Sequence, residues 1–280
     1  FARAWQQIIQ GNTVLSVLAV LTSFVVGGIL IAISNEQVQA SSGYFFARPM
    51  DTIGAIWNAI FGGYDALFRG SVFNYQASSF AGMIKPITET LAFATPITMA
   101  GLGLAVAFRS GLFNIGGTGQ IVFGAMFAGW VGIFVDLPFW IHFPVAVLAG
   151  VLGGAFFGAL VGFLKATTGA NEVIVTIMFN YVASLLLTYL IKTPVLQAPN
   201  AVNPISPPVL DSAKYPLFFG TEFRLHWGFV AMLGAVVFVW WLLKRSSLGF
   251  QFRALGHNPS ASRVAGINIG LTYVLVMAVS

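Results

Sequence analysis

Residues Arg109 to Gln120 read Arg-Ser-Gly-Leu-Phe-Asn-Ile-Gly-Gly-Thr-Gly-Gln and lie between two apolar runs, each able to cross a bilayer. Each of Gly116, Gly117 and Gly119 weakens a helix by about 1 kcal/mol relative to alanine, so the backbone is expected to open here. Non-helical backbone at membrane depth persists only where protein or a water-filled cavity covers its polar groups. The sequence therefore predicts that this stretch lines a passage and that the rest of the chain frames it.

The composition indicates an integral membrane protein. Of the 280 residues, 58% are hydrophobic and only 8% are charged, whereas an average soluble domain is about 25% charged. The mean hydropathy is +0.87, and apolar runs of about 20 residues predict helices that span the bilayer. Because the chain has no cysteine, disulfides, thiolate chemistry and most zinc sites are excluded.

We expect one transmembrane domain over residues 1–280, with several spans and a last, incomplete one. The predicted spans are 14–33, 87–108, 121–135, 143–164, 173–191, 227–243 and the incomplete 271–280. Pro96 predicts a kink in the second span. Residues 51–61 form a candidate amphipathic helix for the membrane surface, since isoleucines and Trp57 recur at helical spacing. The chain lacks an initial methionine and stops within an apolar run, so we expect that it is truncated at both ends.

Two spans carry polar or small residues at intervals of four. The fourth span has a small-xxx-small pattern, which lets a neighbouring helix approach closely in lipid, at Gly150, Gly154, Gly158 and Gly162. The fifth span has a polar stripe, which is expected to face protein or water, at Thr176, Asn180, Ser184 and Thr188.

The charges indicate that the amino end is cytoplasmic. The inner segments then hold the single acid Glu172 and the basic residues Arg3, Arg109, Lys165, Lys244, Arg245, Arg253 and Arg263. The outer segments hold equal numbers of basic and acidic residues: Arg48, Arg69, Lys85, Lys192, Lys214 and Arg224 against Glu36, Asp51, Asp65, Asp136, Asp211 and Glu222. An excess of lysine and arginine on the cytoplasmic side is the usual arrangement.

Little catalytic chemistry is available. His142, His226 and His257 all fall in predicted loops, away from any Ser and Asp pair or metal-like cluster, so we predict neither a catalytic nor a metal site. Glu89 and Glu172 are essentially the only ionisable groups within the spans, and both lie near span ends. A proton-coupled carrier usually needs a relay of such groups, so self-powered transport by this chain is disfavoured.

Uncharged polar and aromatic side chains remain as candidates for contact with a solute. Those that could hydrogen-bond a neutral hydroxylated or amide-bearing solute are Asn114, Thr118, Gln120, Thr176 and Asn180. Phe113, Phe179 and Tyr181 could stack on a flat ring, a contact worth about 1–3 kcal/mol for a base. Glu89 is a further candidate. The alternative is that the amides and hydroxyls hold helices together.

The inner loop at 244–270 contains a good helix start. Asn258 suits the N-cap position and Pro259 the first helical position. The helix that follows would be about six residues long and marginal alone, so it needs a surface to dock against. Arg253 and Arg263 could contact an acidic surface of a partner protein there. The alternative is that these two basic residues only keep the loop on the cytoplasmic side of the membrane.

Four segments together resemble one known family. They are Glu-Thr-Leu at 89–91, Ala-Phe-Arg-Ser-Gly-Leu-Phe-Asn-Ile-Gly at 107–116 with Gly119 and Gln120, Asn-Glu-Val-Ile-Val-Thr-Ile-Met-Phe-Asn-Tyr at 171–181, and Arg-Ala-Leu-Gly-His-Asn-Pro-Ser-Ala-Ser-Arg-Val-Ala-Gly-Ile at 253–267. This set resembles the permease subunits of bacterial ATP-binding-cassette (ABC) importers for nucleosides and simple sugars, in the larger ribose and branched-chain amino-acid permease group. The first 85 residues and the long outer loops carry no such signature.

The resemblance implies an all-α integral membrane protein, a multi-span helical bundle like the type II ABC importer permeases. Residues 256–266 match the family's coupling helix, which sits in a cleft of the ATPase. The implied coupling residues are Arg253, Gly256, Asn258, Pro259, Arg263 and Gly266. The implied partners are a second, different permease, a cytoplasmic ABC ATPase and an extracytoplasmic substrate-binding lipoprotein. The chain departs from the family's frequent Ala-Glu at Gly117 and Thr118, and from its frequent acidic residue at His257.

Together with the apolar composition, the resemblance implies a non-catalytic permease subunit in the bacterial plasma membrane that forms the pathway for nucleosides, surrounded by lipid. The chain contains no Gly-x-x-x-x-Gly-Lys-Ser/Thr phosphate loop, so ATP hydrolysis is expected on the partner and no cofactor or nucleic acid is expected here. The same machine with a simple sugar or a branched-chain amino acid as cargo is one alternative. A self-contained secondary carrier or channel is another.

Overall fold

The structure, a computed structural model, describes residues 12–280. Arg3, which entered the charge argument, lies outside the described residues. The helices are α1 Asn12–Ser34, α2 Glu36–Ser42, α3 Pro49–Ser71, α4 Phe80–Arg109, α5 Gly117–Phe134, α6 Phe139–Thr168, α7 Glu172–Leu190, α8 Gly228–Arg245, α9 Ser247–His257, α10 Pro259–Val264 and α11 Ile269–Val279. The long loop between α7 and α8 contains a 3₁₀ turn, Asp211–Ala213, and an isolated β-bridge between Leu217 and His226.

Six helices of the described chain are long and apolar enough to cross a membrane. They are Val14–Ser34, Phe80–Arg109, Gly117–Phe134, Phe139–Thr168, Glu172–Leu190 and Gly228–Arg245. Ile269–Val279 is apolar but shorter. The prediction of an all-α, multi-span membrane protein is therefore confirmed.

Several helices extend beyond the predicted spans. The helix that contains the predicted span 87–108 begins at Phe80, and the helix that contains the predicted span 143–164 covers Phe139–Thr168. The predicted surface helix at 51–61 is part of the longer α3. Hydropathy locates only the part of a helix that lies in hydrocarbon, whereas backbone hydrogen bonding continues into the polar flanks. Helix α4 is assigned continuously through Pro96, and the kink there stays a prediction.

The chain forms two compact units, Phe1–Thr90 and Leu91–Ser280, and the boundary falls inside α4. The prediction of one domain over residues 1–280 stays a prediction. In the first unit, α3 packs against α1 where glycines leave room for larger side chains. A Cβ on Gly28 would lie 3.4 Å from Ile60, and one on Gly63 would lie 3.2 Å from Ile31.

A polar cluster follows in the same unit at the end of α3. The Arg69 guanidinium bonds Asp65 at 2.7 Å, and the Tyr75 hydroxyl donates to the same carboxylate. The Tyr75 hydroxyl, together with Arg69, holds the pKa of Asp65 below its usual value. Because this lowered pKa favours the ionised form in the folded chain, the cluster contributes stability at neutral pH and loses it as the pH falls through the pKa of Asp65.

Helix α6 is the centre of the second unit, and its glycines bring two neighbours into backbone contact. A Cβ on Gly154 would lie 3.3 Å from the Gln120 carbonyl oxygen of α5, and one on Gly162 would lie 2.6 Å from Val274 Cα of α11. Gly150 faces α5 and Gly158 faces α11 in the same way. The close approach predicted from the four-residue glycine spacing is confirmed, and the structure adds that the stripe serves two helices.

The buried core of this unit lies where the end of α4, helix α9 and helix α11 meet. Its buried members are Val106, Ala107, Leu112, Val161, Leu242, Phe252, Leu255, Ile269, Val276 and Met277. Helix α9, which carries Arg253 and Gly256 of the predicted coupling residues, is therefore packed through Phe252 and Leu255 on the same core as the end of α4.

The placement of His142 in a loop was wrong, because this residue lies in α6 and is fully buried. His142 Nε2 is 3.1 Å from the Val131 carbonyl oxygen, which can only accept, so in the neutral ring Nε2 carries the proton. Nδ1 then accepts from the Ser212 hydroxyl at 2.7 Å. His142 thus holds the loop between α7 and α8 onto the ends of α5 and α6. His257 was also misplaced, since it ends helix α9.

Candidate functional site

The backbone opens between α4 and α5, at residues 110–116, which we call the junction. Helix α4 ends with Gly111 in the left-handed region at φ 71°. The Leu112 N–H donates to the Ala107 carbonyl at 3.0 Å and the Gly111 N–H to the Phe108 carbonyl at 3.1 Å, which is the hydrogen-bond pattern of a Schellman cap. The sequence prediction of a break in this stretch is confirmed.

Two of the three glycines invoked for the break have another role. Gly117 and Gly119 lie in the first turn of α5, which begins four residues earlier than the predicted bound of 121. A Cβ on Gly119 would lie 2.5 Å from Phe157 Cε1 and 3.0 Å from Asn180 Oδ1. Gly119 is therefore needed for close packing of α5 against α6 and α7, whereas Gly116 precedes the helix.

Asn114 is the polar centre of the junction and is only 2% exposed. Its Oδ1 accepts the Gly116 N–H at 2.7 Å. Its Nδ2 donates to Gln120 Oε1 at 2.9 Å and to Ser280 Oγ at 2.8 Å. All the donors of this amide are used inside the protein, so Asn114 holds the junction in shape.

Two more amides extend this network to neighbouring helices. Gln120 Nε2 donates to the Met277 carbonyl of α11 at 2.9 Å. Asn180 of α7 accepts the Gly119 N–H at 2.8 Å and donates to the Ile115 carbonyl at 3.0 Å. The junction, α5, α7 and α11 are therefore joined by side-chain amides, which favours the alternative that these amides hold helices together.

The other predicted pathway residues differ in exposure. Phe113 is 48% exposed and Thr118 is exposed, whereas Thr176 is fully buried beside Gly116. Glu89 lies on α4 in the first unit and is partly buried. Of the side chains predicted to contact a solute, Phe113, Thr118 and Tyr181 are exposed. Every pathway role stays a prediction.

The hydroxyl groups in the polar stripe of α7 find their hydrogen-bond acceptors within the helix itself. Thr176 donates to Val173, Ser184 to Asn180 and Thr188 to Ser184, in each case to a carbonyl of the same helix. Hydroxyls commonly satisfy themselves in this way inside helices. Of this stripe, Asn180 is the member that bonds another segment through its side chain.

An ion pair beside the junction was missed by the sequence reasoning. Lys165 Nζ lies 2.6 Å from Glu172 Oε2, with side chains 19% and 15% exposed. The Lys165 ammonium is 5.2 Å from the centre of the Tyr273 ring, and the Glu172 carboxylate also faces the backbone N–H of Phe113. The pair joins the α6–α7 turn to α11 and to the junction. In the sequence, the only indication of this ion pair was that Lys165 and Glu172 are opposite charges on the two sides of a short predicted turn.

The predicted coupling residues fall on α9, α10 and their flanks, and part of this segment reaches the junction. A Cβ on Gly256 would lie 2.6 Å from the Arg109 carbonyl oxygen and 2.9 Å from the Gly111 nitrogen. Helix α10 begins as predicted: Asn258 Oδ1 accepts the Ala261 N–H at 3.0 Å, and Pro259 is in its first turn.

The two arginines of this segment differ in their surroundings. Arg263 is exposed, whereas Arg253 is partly buried, and its Nη1 is buried without a hydrogen-bond partner among the described residues. Gly266, at φ 83°, ends the α10 turn in a conformation that favours glycine. Within residues 12–280, no group of three His, Asp or Glu side chains could hold a metal ion.

The comparisons with known proteins agree with this architecture. A family described as "Branched-chain amino acid transport system / permease component" matches residues 87–280. The chain is 32% identical over 263 residues to the guanosine ABC transporter permease protein NupP of Bacillus subtilis. The aligned region covers 94% of this chain and 67% of the relative. No solved structure matches the chain.

Two further relatives are ABC transporter permeases. The nucleoside permease NupB of Lactococcus lactis is 32% identical over 81% of this chain and 64% of its own length. The glucose permease TsgB13 of Haloferax volcanii is 32% identical over 68% of this chain and 52% of its own length. The chain thus spans between about half and two thirds of these relatives. It is a multi-pass membrane protein of the branched-chain amino acid transport system permease component family, whose members are transport subunits and not enzymes.

Proposed function

We propose that this chain is a transmembrane subunit of an ATP-driven importer of nucleosides. The observation that carries the proposal is that the family match, over residues 87–280, includes both the junction and the coupling segment. The nucleoside cargo is supported by two relatives that are named as guanosine and nucleoside permeases. In this proposal the chain supplies the pathway, and a separate ABC ATPase supplies the energy.

The proposed orientation places the amino end and the α9–α10 segment in the cytoplasm. The ATPase then contacts α10, where Asn258, Pro259 and Arg263 are exposed. A substrate-binding lipoprotein would approach from the opposite side, on which the loop between α7 and α8 lies. A second, different permease would complete the pathway. These partners rest on the family membership and on the excess of basic residues in the inner segments.

The contacts around the junction support a route from ATPase to pathway. Movement of α10 would reach the junction through Gly256, which touches the backbone of Arg109 and Gly111. The movement would also reach the junction through α11, whose Met277 carbonyl accepts a hydrogen bond from the Gln120 side chain. The first contact is a close approach between backbones, and the second is a hydrogen bond. A displacement of α10 would therefore reorient the junction and change access to the pathway.

Phe113 and Thr118 are the residues we propose for contact with the solute, since they are exposed near the junction. Asn114, Gln120, Thr176 and Asn180 would then shape the pathway wall from behind. Removal of the Thr118 hydroxyl should raise KM for nucleoside uptake with little change in the amount of assembled complex.

The test is uptake of labelled guanosine, ribose and leucine by cells that express the complete transporter. We expect guanosine uptake that requires ATP and is abolished by Arg263→Ala with normal membrane insertion. Uptake that persists in vesicles without any ATPase would contradict the importer, and uptake of leucine alone would contradict the cargo. A sugar is the second candidate cargo, because the relative TsgB13 is named as a glucose permease.

A further inference from the structure

The ion pair between Lys165 and Glu172 is more buried than the ion pair between Arg69 and Asp65. The side chains of Lys165 and Glu172 are 19% and 15% exposed, against 26% and 34% for Arg69 and Asp65. Exposed ion pairs contribute little to stability, whereas removal of one partner from a buried pair leaves an uncompensated charge. Lys165 and Glu172 therefore depend on each other.

The turn between α6 and α7 is closed without this ion pair. Gly169, at φ 70°, ends α6, and its N–H donates to the Lys165 carbonyl at 3.1 Å. Asn171 Oδ1 accepts the Val173 N–H at 2.9 Å and so caps α7. A left-handed glycine and an N-cap residue are sufficient to end one helix and begin the next. The ion pair is therefore available for a role outside the turn.

Lys165 connects the pair to α11, the helix that follows α10. Its Nζ atom is 5.2 Å from the centre of the Tyr273 ring, which is within the range of a cation–π attraction. The two helices are in close contact here, since a Cβ on Gly162 would lie 2.7 Å from the Tyr273 carbonyl oxygen. A displacement of α11 would therefore move the ammonium group of Lys165.

Glu172 connects the pair to α7 and to the junction. It is the first residue of α7, and its carboxylate faces the Phe113 N–H. A carboxylate offers about four acceptor positions, so Glu172 can hold Lys165 and face Phe113 at the same time. Helix α7 is also bonded to the junction by Asn180, which donates to the Ile115 carbonyl at 3.0 Å. A displacement of Glu172 would therefore reach residues 113–115.

We propose that Lys165 and Glu172 are positioning residues for transport. The pair transmits a displacement of α11 to the backbone of Phe113, whose exposed ring is one of the proposed solute contacts. This inference rests on the proposed function, because it gives the pair a part in the ATP-driven cycle. It adds a route from α10 to the junction beside the contacts of Gly256 and Met277.

A reversal of the two charges separates this role from a simple link between α6 and α7. The reversed-charge variant, Lys165→Glu with Glu172→Lys, keeps opposite charges across the turn. However, it places an anion near the face of the Tyr273 ring, which is itself negative, and a group without an acceptor opposite the Phe113 N–H. The reversal restores transport if the pair only links two helices, and does not restore it if the pair positions the junction. Glu172→Gln keeps an accepting oxygen and should retain most of the transport.

The experiment uses the full-length protein in its assembled complex in proteoliposomes, with guanosine uptake and ATP hydrolysis measured on the same preparation. The reversed-charge variant and Lys165→Met should lower the guanosine taken up per ATP hydrolysed about tenfold, which is the effect of losing a hydrogen bond to a charged group. Lys165→Arg keeps the positive charge and should retain the ratio. The matched control is Asp65→Asn, which should also retain the ratio, because the Arg69–Asp65 pair contacts Tyr75 and Gln76 instead.

Hydrogen–deuterium exchange on the same complexes gives a readout that does not depend on transport. The amides of residues 113–115 should exchange several times faster in the reversed-charge variant and in Lys165→Met, but not in Asp65→Asn. If the reversed-charge variant does not assemble, the comparison of Lys165→Met with Lys165→Arg replaces it.

Unchanged deuterium exchange at residues 113–115 would overturn the proposal. Equal falls of uptake and ATP hydrolysis would show a loss of structure only and would also overturn it. If the unmodified complex took up no guanosine, the proposed function would be contradicted, and the deuterium exchange alone would decide whether the pair positions the junction.

Discussion

Gly158 shows how a single residue type is dictated by a neighbouring helix. A Cβ at this position would overlap the Met277 carbonyl oxygen of α11 and the side-chain amide of Gln120. Gly129, on α5, has no atom within 4 Å of the corresponding position. Packing against α11 and Gln120 therefore requires glycine at position 158. At position 129 there is space for a larger side chain, so packing does not require glycine there.

This contrast predicts opposite effects of the same substitution. Gly158→Ala should destabilise the protein by about 1–3 kcal/mol, because overpacking forces α6 and α11 apart. Gly129→Ala should be neutral or stabilising by up to about 1 kcal/mol through helix propensity. Thermal unfolding of the purified proteins in detergent, followed by tryptophan fluorescence, compares them. Equal midpoints for the two variants would contradict the tight α6–α11 contact.

A second prediction concerns Asn114 in the junction. Asn114→Ala leaves the Gly116 N–H and Gln120 Oε1 without their partners, and such a loss costs about 1–3 kcal/mol. Thr118→Ala, at an exposed position, should change stability by less than about 0.5 kcal/mol. The same unfolding measurement separates them. If Asn114→Ala kept full stability but abolished uptake, Asn114 would act on the solute rather than on the junction.

Helix α10 is a short element that relies on its cap. It has only 6 residues, and a helix of this length is marginal without help. Asn258 caps it at 3.0 Å from the Ala261 nitrogen, and the backbone contacts of Gly256 with Arg109 and Gly111 hold the preceding turn. The order of this element is therefore set by a cap and a docking contact rather than by its own length.

Removal of the cap should loosen α10. Asn258→Ala costs about 1 kcal/mol of helix stability, so the amides of residues 260–266 should exchange with deuterium several times faster. Hydrogen–deuterium exchange with mass spectrometry measures this directly. Asn258→Asp keeps an oxygen at the cap position and should exchange like the original protein. Unchanged exchange in Asn258→Ala would show that docking alone orders this helix.

For the whole molecule, the order of spans places two loops on opposite sides of the membrane. One spanning helix, α8, separates the loop between α7 and α8 from the α9–α10 segment. Because the chain has no cysteine, single cysteines can report sidedness without background from this chain. Val202, which is 97% exposed, and Ser260, which is exposed on α10, mark the two sides.

With the amino end cytoplasmic, a membrane-impermeant maleimide should label Val202→Cys in intact cells. Ser260→Cys should be labelled only after the membrane is permeabilised. The ratio of labelling before and after permeabilisation is the measurement. The reverse pattern would show the opposite orientation, and labelling of both in intact cells would contradict the assignment of α8 as a span.

Most of the architecture could be predicted from local sequence, because its causes are local. A run of about 20 apolar residues must form a helix in a bilayer to satisfy its own backbone. The start of α10 at Pro259 followed from Asn258 and Pro259, and the close packing of α6 followed from glycines four residues apart. Helix ends were less predictable, since α4 continues through polar residues to Phe80.

The site depended on contacts between distant segments, which leave little local trace. Gln120 binds a backbone carbonyl at Met277, and backbone carbonyls are the same at every residue type. Gly119 was read as a helix breaker but is a helical residue that makes room for the Phe157 ring. The junction itself is a local property of the sequence. Which helices hold it, and which side chains stay accessible to a solute, follow from three-dimensional packing, because a side chain's partner is set by proximity in space.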